Sequence, residues 1–214
     1  MPTPPPAASG RPLVLSVNVG AVREVEWRGE RVRTGIWKSP VGDRAVPLAG
    51  VNLEGDDQAD RTVHGGPDKA VYAYAEEDYA HWRDVEGVDV EPGLFGENLT
   101  VRGIDLREAV VGERWRVGTA LLEVAQPRLP CFKLGIRLGD AGFPKRFMAV
   151  ARHGAYLRIV ESGAVRAGDT IAVLSRPDHG VTLALMATAV RDRSVRSRLL
   201  PALADLPPAW RQAG

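Results

Sequence analysis

With 214 residues, 44% of them hydrophobic, the chain can build one substantial core without staples, and its net charge of +1 gives no overall field to draw nucleic acid or a membrane surface. One cysteine excludes an internal disulfide, and the four histidines, at 64, 81, 153 and 179, are too scattered for a zinc-type spacing. No apolar run approaches the ~20 residues needed to cross a bilayer, so a cytoplasmic protein is expected, with no membrane and no nucleic acid among its partners.

Residues 1–12, rich in Pro and Ala, read as a disordered arm without the charged and apolar regions of a signal peptide. Residues 13–19 alternate Leu13, Leu15, Val17 and Val19 against Val14, Ser16 and Asn18, the period of a strand. A hairpin is predicted over 23–36 with its turn at Arg28-Gly29-Glu30, and a short extended piece at 45–48. Residues 50–58 are too acidic and polar to be core. Residues 71–74 read as a buried strand. Glu76, Glu77 and Asp78 then load the first turn of a helix that ends before Gly87, with Tyr79, Trp82 and Val85 on one face. Further strands are expected at 99–102, 110–117, 119–125, 155–160 and 170–174, and a helix at 143–152 with Gly154 just past its end. About ten short strands with few helices predict a mainly β architecture, a closed or nearly closed β-barrel over residues 13–175. After Arg176-Pro177 the pattern changes to three short helices, at 182–190, 194–203 and 208–212, with Thr182 as an N-cap; residues 176–214 form this C-terminal helical segment. Its arginines, 191, 193, 196 and 198, lack interleaved aromatics and read as a solvated face.

Three loops carry chemistry. The stretch Arg61-Thr-Val-His64-Gly65-Gly66-Pro-Asp-Lys69 has paired glycines that can expose backbone N–H groups as an anion-binding nest, with Lys69 adding a point charge; the same pair also suits an ordinary turn. Glu97 and Asn98 precede the strand at 99–102, where a polar residue serves either a turn or a ligand. Gln126-Pro-Arg128-Leu-Pro-Cys131-Phe-Lys133-Leu holds the lone cysteine between two prolines that stiffen the backbone. Cations at Arg128 and Lys133 favour the thiolate that attacks electrophiles or binds metals, although a lone cysteine is more often an inert packing residue. The 28 basic residues comprise four lysines, at 38, 69, 133 and 145, and twenty-four arginines. Lysine retained against that bias points to a need for a compact ammonium, which marks Lys69 and Lys133.

Val-His-Gly-Gly-Pro-Asp-Lys-Ala-Val, then Gly-Glu-Asn-Leu, then Gln-Pro-Arg-x-Pro-Cys-x-Lys-Leu, in this order, together with Gly154-Ala155-Tyr156-Leu157-Arg158 and Ala167-Gly168-Asp169, resemble the YiiM-like branch of the MOSC-domain family. The resemblance implies a MOSC-type barrel that binds the molybdenum cofactor (molybdopterin), with Cys131 as the thiolate ligand of the metal and the residue at which catalysis centres. It implies a cradle for the cofactor's phosphate at Gly65-Gly66 with Arg61, His64 and Lys69, and further cofactor contacts from Asn98, Arg128 and Lys133. The activity implied is an oxidoreductase that removes oxygen from N-hydroxylated compounds such as N-hydroxylated purine bases, a detoxification, with electrons from a separate reductase. His64, Lys69 and Glu97 are candidate proton donors. A sulfur or cofactor carrier, in which Cys131 bears a persulfide or delivers the cofactor without turnover, is the alternative, and a purely structural barrel a third reading. Ala155 departs from the aromatic or larger residue expected there and puts the pocket wall in question. A homodimer is the default expectation for the assembly.

Overall fold

The computed structural model describes residues 10–59 and 65–211. In chain order its strands and helices are β1 (Leu13–Val19), β2 (Arg23–Trp27), β3 (Glu30–Thr34), β4 (Ser39–Pro40), β5 (Val46–Ala49), β6 (Asn52–Leu53), β7 (Val71–Ala75), α1 (Glu76–Asp84), β8 (Leu99–Arg102), β9 (Arg114–Val117), β10 (Ala120–Pro127), α2 (Phe132–Leu138), α3 (Phe143–Val150), β11 (Ala155–Glu161), β12 (Gly163–Val165), β13 (Ile171–Ser175), α4 (Leu183–Arg191) and α5 (Pro208–Arg211). Two 3₁₀ segments, Pro67–Lys69 and Arg193–Ala202, complete the order. No helix among the described residues is long and apolar enough to cross a membrane.

The main sheet has eight strands in the order β13-β9-β10-β11-β7-β8-β1-β4, antiparallel except for the β7–β8 pair. Here the expected closed or nearly closed barrel is corrected to a mixed α/β fold with one large sheet and several helices, in which the described residues form no closed barrel. The hairpin β2–β3 forms a sheet of its own, and β12, β5 and β6 form another, so five of the thirteen described strands stand outside the main sheet. The sheet's two sides meet only where Leu13 bridges Thr170; there Val14 donates its N–H to the Asp169 carbonyl at 2.9 Å, and Ile171 donates to the carbonyl of Pro12 at 2.8 Å.

β7 explains why the sheet is covered on both sides. All five of its residues are buried, and the period of two divides them. Val71, Ala73 and Ala75 face a largely aliphatic interior shared with Leu99, Leu122, Val124 and Leu157. Tyr72 and Tyr74 face an aromatic cluster with Tyr79, Trp82, Phe95, Phe143 and Phe147, built from α1, α3 and the loop before β8. The first turn of α1 carries the three acids expected, and Thr182 caps α4 by accepting the Leu185 N–H at 3.2 Å.

Several local expectations fail for identifiable reasons. Val85 lies beyond the last turn of α1 and is 69% exposed rather than on its buried face. Helix α3 ends at Ala151 in the left-handed conformation (φ 59°), three residues before the expected Gly154. Helix α2 is absent from the sequence reading because Gly135 lies mid-helix, where glycine weakens helix formation. Packing requires it there, since a Cβ at Gly135 would sit 2.8 Å from the Asp140 carbonyl oxygen. Ala155 pairs with Ala73 in the aliphatic interior and forms no part of the cleft wall described below.

Candidate functional site

At the end of β10 the chain passes through Pro127, Arg128 and Pro130 to Cys131, which is extended (φ −125°, ψ 173°) and caps α2. Leu134 donates its N–H to the Cys131 carbonyl at 3.0 Å, so the first helical turn fixes the residue's backbone. The half-buried thiol borders a cleft of about 110 Å³ whose wall also includes Arg128, Lys133, Lys69, Lys38 and Asn98. Three of the four lysines thus converge on one cleft although they lie far apart in sequence.

Arg128 is the most committed of these cations. It is 5% exposed, and its guanidinium lies 5.6 Å from the Tyr72 ring and 5.4 Å from the Phe147 ring. Burial opposes its charge, but Tyr72, Tyr156 and the Cys131 sulfur outweigh that and leave its pKa raised. Burial, opposed by Arg128, raises both phenols, so Tyr72 and Tyr156 stay neutral. Nη1 of Arg128 has no hydrogen-bond partner in the structure. A buried cationic donor left open beside a cleft is costly unless an anionic acceptor fills it.

Opposite stands a network that the sequence reading missed. Asp56 accepts from the Gly20 N–H at 3.0 Å through Oδ1, while its Oδ2 accepts from Lys38 Nζ and from Asn98 Nδ2, the latter at 2.9 Å. Both partners of the Lys38–Asp56 pair are buried, and burial, opposed by Asp56, lowers the lysine's pKa. Asn98 is fully engaged. Its Oδ1 accepts the Tyr72 N–H at 3.0 Å, its own N–H donates to the Tyr72 carbonyl at 2.7 Å, and Nδ2 also reaches the Asn18 carbonyl. Its amide therefore anchors Asp56 and Tyr72 at the wall. Glu97, by contrast, is wholly buried away from the cleft. It accepts from the Tyr79 hydroxyl, the N–H groups of Gly93 and Phe95, and the Thr100 hydroxyl, which holds the loop before β8 and leaves no free oxygen to serve as a proton donor at the site.

The segment 50–58, expected to be solvated, is corrected by the same geometry. Leu53 is buried in β6, and Asp56, Asp57 and Gln58 line the cleft. Gly35 allows this approach, because a Cβ there would lie 2.5 Å from the Asp57 carbonyl oxygen. Gln58 in turn clamps the glycine turn: its Oε1 accepts the Gly66 N–H at 3.2 Å and its Nε2 donates to the Lys69 carbonyl at 3.1 Å. Gly66 has φ 88°, and Lys69 donates to the Gly66 carbonyl at 3.1 Å, closing the 3₁₀ turn Pro67–Lys69 that puts Lys69 at the cleft. Gly65 immediately precedes this turn. Arg61 and His64 lie outside the described residues. The one sequence signal that could have found Lys38 is the scarcity of lysine, which marked its two neighbours in the cleft.

A family model described as MOSC domain matches residues 60–172, more than half of the chain. The chain belongs to the MOSC-domain family. This MOSC chain is 38% identical over 170 residues to the uncharacterized protein YflK of Bacillus subtilis, covering 79% of the chain and 76% of that relative. It is 33% identical to Protein YiiM of Escherichia coli, over 63% of the chain and 61% of YiiM. A third relative, a protein named Reductase from Gibberella moniliformis, is 30% identical over 96% of the chain, and the chain spans only 36% of its length. Among solved structures, YiiM from Geobacillus stearothermophilus superposes with a TM-score of 0.76 at 25% identity, covering 94% of the chain and 96% of that structure. The MOSC family match starts at residue 60, so Lys38 and Asp56 come from outside the matched span.

Proposed function

We propose that this protein is a molybdenum cofactor-dependent reductase of N-hydroxylated compounds, such as N-hydroxylated purine bases, drawing electrons from a separate reductase. The observation that carries the reading is the convergence of Cys131, the open buried guanidinium of Arg128, and Lys38, Lys69 and Lys133 on one cleft. MOSC domains are associated with molybdenum cofactor binding, and the residues fit that group. A single soft sulfur donor, with no group of three or more His, Cys, Asp or Glu among the described residues able to hold a metal ion, suits a metal that brings ligands of its own. The cations answer the cofactor's phosphate and the orphaned Arg128 donor. The relative named Reductase, far longer than this chain, is consistent with an electron supply that is not part of the domain.

When bound, the cofactor supplies the two electrons that cleave the N–O bond. The remaining tasks fall to the chain: R–NHOH with two electrons and two protons becomes R–NH₂ and water. Cys131 would anchor the metal. Leu129, 39% exposed and lining the cleft beside Cys131, gives an apolar surface against which a flat base can lie. Lys38 Nζ holds a proton at the wall, with Asp56 fixing its direction, and is the donor this geometry favours for the departing oxygen.

The deciding experiment measures molybdenum and pterin in protein expressed in a host that makes the cofactor, for wild type and Cys131→Ala. Near-stoichiometric molybdenum that is lost from the variant supports the reading. Sulfane sulfur on Cys131 without molybdenum would replace it with a sulfur carrier, and loaded protein that leaves N-hydroxylated purines untouched with a chemical electron donor would remove that substrate class.

A further inference from the structure

The C-terminal segment has no part in the chemistry above, yet two polar connections run from it to one residue of the site loop. Trp210, in α5, donates its indole N–H to Gln126 Oε1 at 2.8 Å, and Gln126 Nε2 donates to the Asp68 carbonyl at 3.3 Å. Independently, Arg158 on β11 donates from Nη2 to the Asp205 carbonyl at 3.0 Å and from Nε to Asp68 Oδ1 at 2.6 Å, while its Nη1 pairs with Glu123 at 2.7 Å. The carbonyl and the carboxylate of Asp68 are thus both tied, through one intermediary each, to residues 205–210. Asp68 is the residue before Lys69, in a single short 3₁₀ turn of three residues. Such a turn has little intrinsic stability and takes its position from outside partners. Gln58 holds it on the cleft side, and Gln126, 7% exposed, holds it from behind. Gln126 also begins the stretch that delivers Arg128 and Cys131, so the same amide borders both halves of the site.

We propose that the C-terminal segment is a latch for the site, in which Trp210, acting through Gln126, and the Asp205 carbonyl, acting through Arg158, are positioning elements that hold the Asp68–Lys69 turn against the cleft. This deepens the reading of that turn as an anion cradle and rests on it for its functional meaning, but the mechanical coupling stands on the hydrogen bonds alone.

Amide hydrogen exchange on the full chain tests it, with Trp210→Phe removing the indole donor while keeping an aromatic ring, and Gln126→Met removing both polar ends at similar length. The expected result is faster exchange at Lys69 and Ala70, by about fivefold to tenfold as for one lost hydrogen bond, while the amides of Leu122 and Val124 in β10 keep their protection. Adding Trp210→Phe to Gln126→Met should then change nothing further at Lys69, because the two act in series. Unchanged exchange at Lys69 in both variants, additive effects, or equal loosening of β10 would each overturn the latch. Should one variant fail to fold, the other reports on the same amides. Titration of the apo-protein with inorganic phosphate separates the two ideas: weaker binding in the variants supports the latch acting on a cradle, whereas a wild type that binds no phosphate overturns the cradle and leaves exchange to judge the latch.

Discussion

The two faces of β7 are packed by different chemistry, and the site lies on only one of them. Val71, Ala73 and Ala75 meet a largely aliphatic interior, and that side of the sheet is held mainly by area and fit. Tyr72 and Tyr74 meet rings whose polar ends must find partners. The Tyr72 hydroxyl donates to the His153 carbonyl at 2.9 Å, Trp82 Nε1 donates to the Tyr74 hydroxyl at 2.6 Å, and the Tyr79 hydroxyl reaches Glu97. An aromatic core therefore carries direction as well as area. It supplies the shelf of Tyr72 and Phe147 on which Arg128 rests, so rigidity in this cluster passes to the cation beside the cysteine.

The sharpest way to break this comparison is a pair of truncations, one on each side. Phe147→Ala should cost about 3–5 kcal/mol in urea denaturation and also lower cofactor retention per folded molecule, because Arg128 loses a supporting ring. Leu157→Ala, in the aliphatic interior, should cost about 2–5 kcal/mol yet leave retention unchanged. Equal loss of retention in both would mean that the two cores are one mechanical unit. Next in size, Lys38→Met leaves the Asp56 carboxylate buried without its cation, at a cost of about 3 kcal/mol. Adding Asp56→Asn should recover much of that stability without restoring turnover, a dissociation that calorimetry and steady-state kinetics would read together.

The last effect, of similar size but spread over a pH range, is set by protonation. Burial, followed by the charge of Arg128, brings the pKa of His153 down from 6.5 to about 4, so the folded protein keeps this imidazole neutral. Below 6.5 the unfolded chain takes up the proton and the native state does not. Stability therefore falls as the pH drops from 6.5 towards 4, by about 3 kcal/mol once below both values. Denaturation curves for wild type and His153→Gln across that window should diverge by this slope, and parallel curves would mean that His153 is not held neutral.

Much of this was legible in the sequence because it is local. Although the alternation expected in β1 is broken by a bulge between Val14 and Ser16 that buries Val14 and Val17 together, the buried strand β7, the acids opening α1, the Arg28-Gly29 hairpin turn and the Thr182 cap are each decided by neighbours a few residues away. So was the proline-stiffened cysteine loop, and Arg128, Lys133, Lys69 and Asn98 were chosen from local motifs and do border the cleft. What escaped depends on partners far along the chain. The acids at 56 and 57 read as solvated because Lys38, 18 residues before Asp56, is invisible to a local window. Gly135 argues against a helix until the Asp140 carbonyl beside it is known. The closed or nearly closed barrel gave way to a mixed fold because counting strands does not reveal which of them leave for smaller sheets or how many helices pack on the main one.

The scarcity of lysine has a practical consequence. Three of the chain's four primary side-chain amines border the cleft, and the fourth, Lys145, is exposed on α3. An amine-directed reagent thus leaves a mass fingerprint that is almost entirely a map of the cleft, with Lys145 as its internal standard. Occupancy of the cleft, whatever fills it, becomes readable as selective protection of Lys69 and Lys133 in a tryptic digest, with Lys38 already shielded by its ion pair with Asp56.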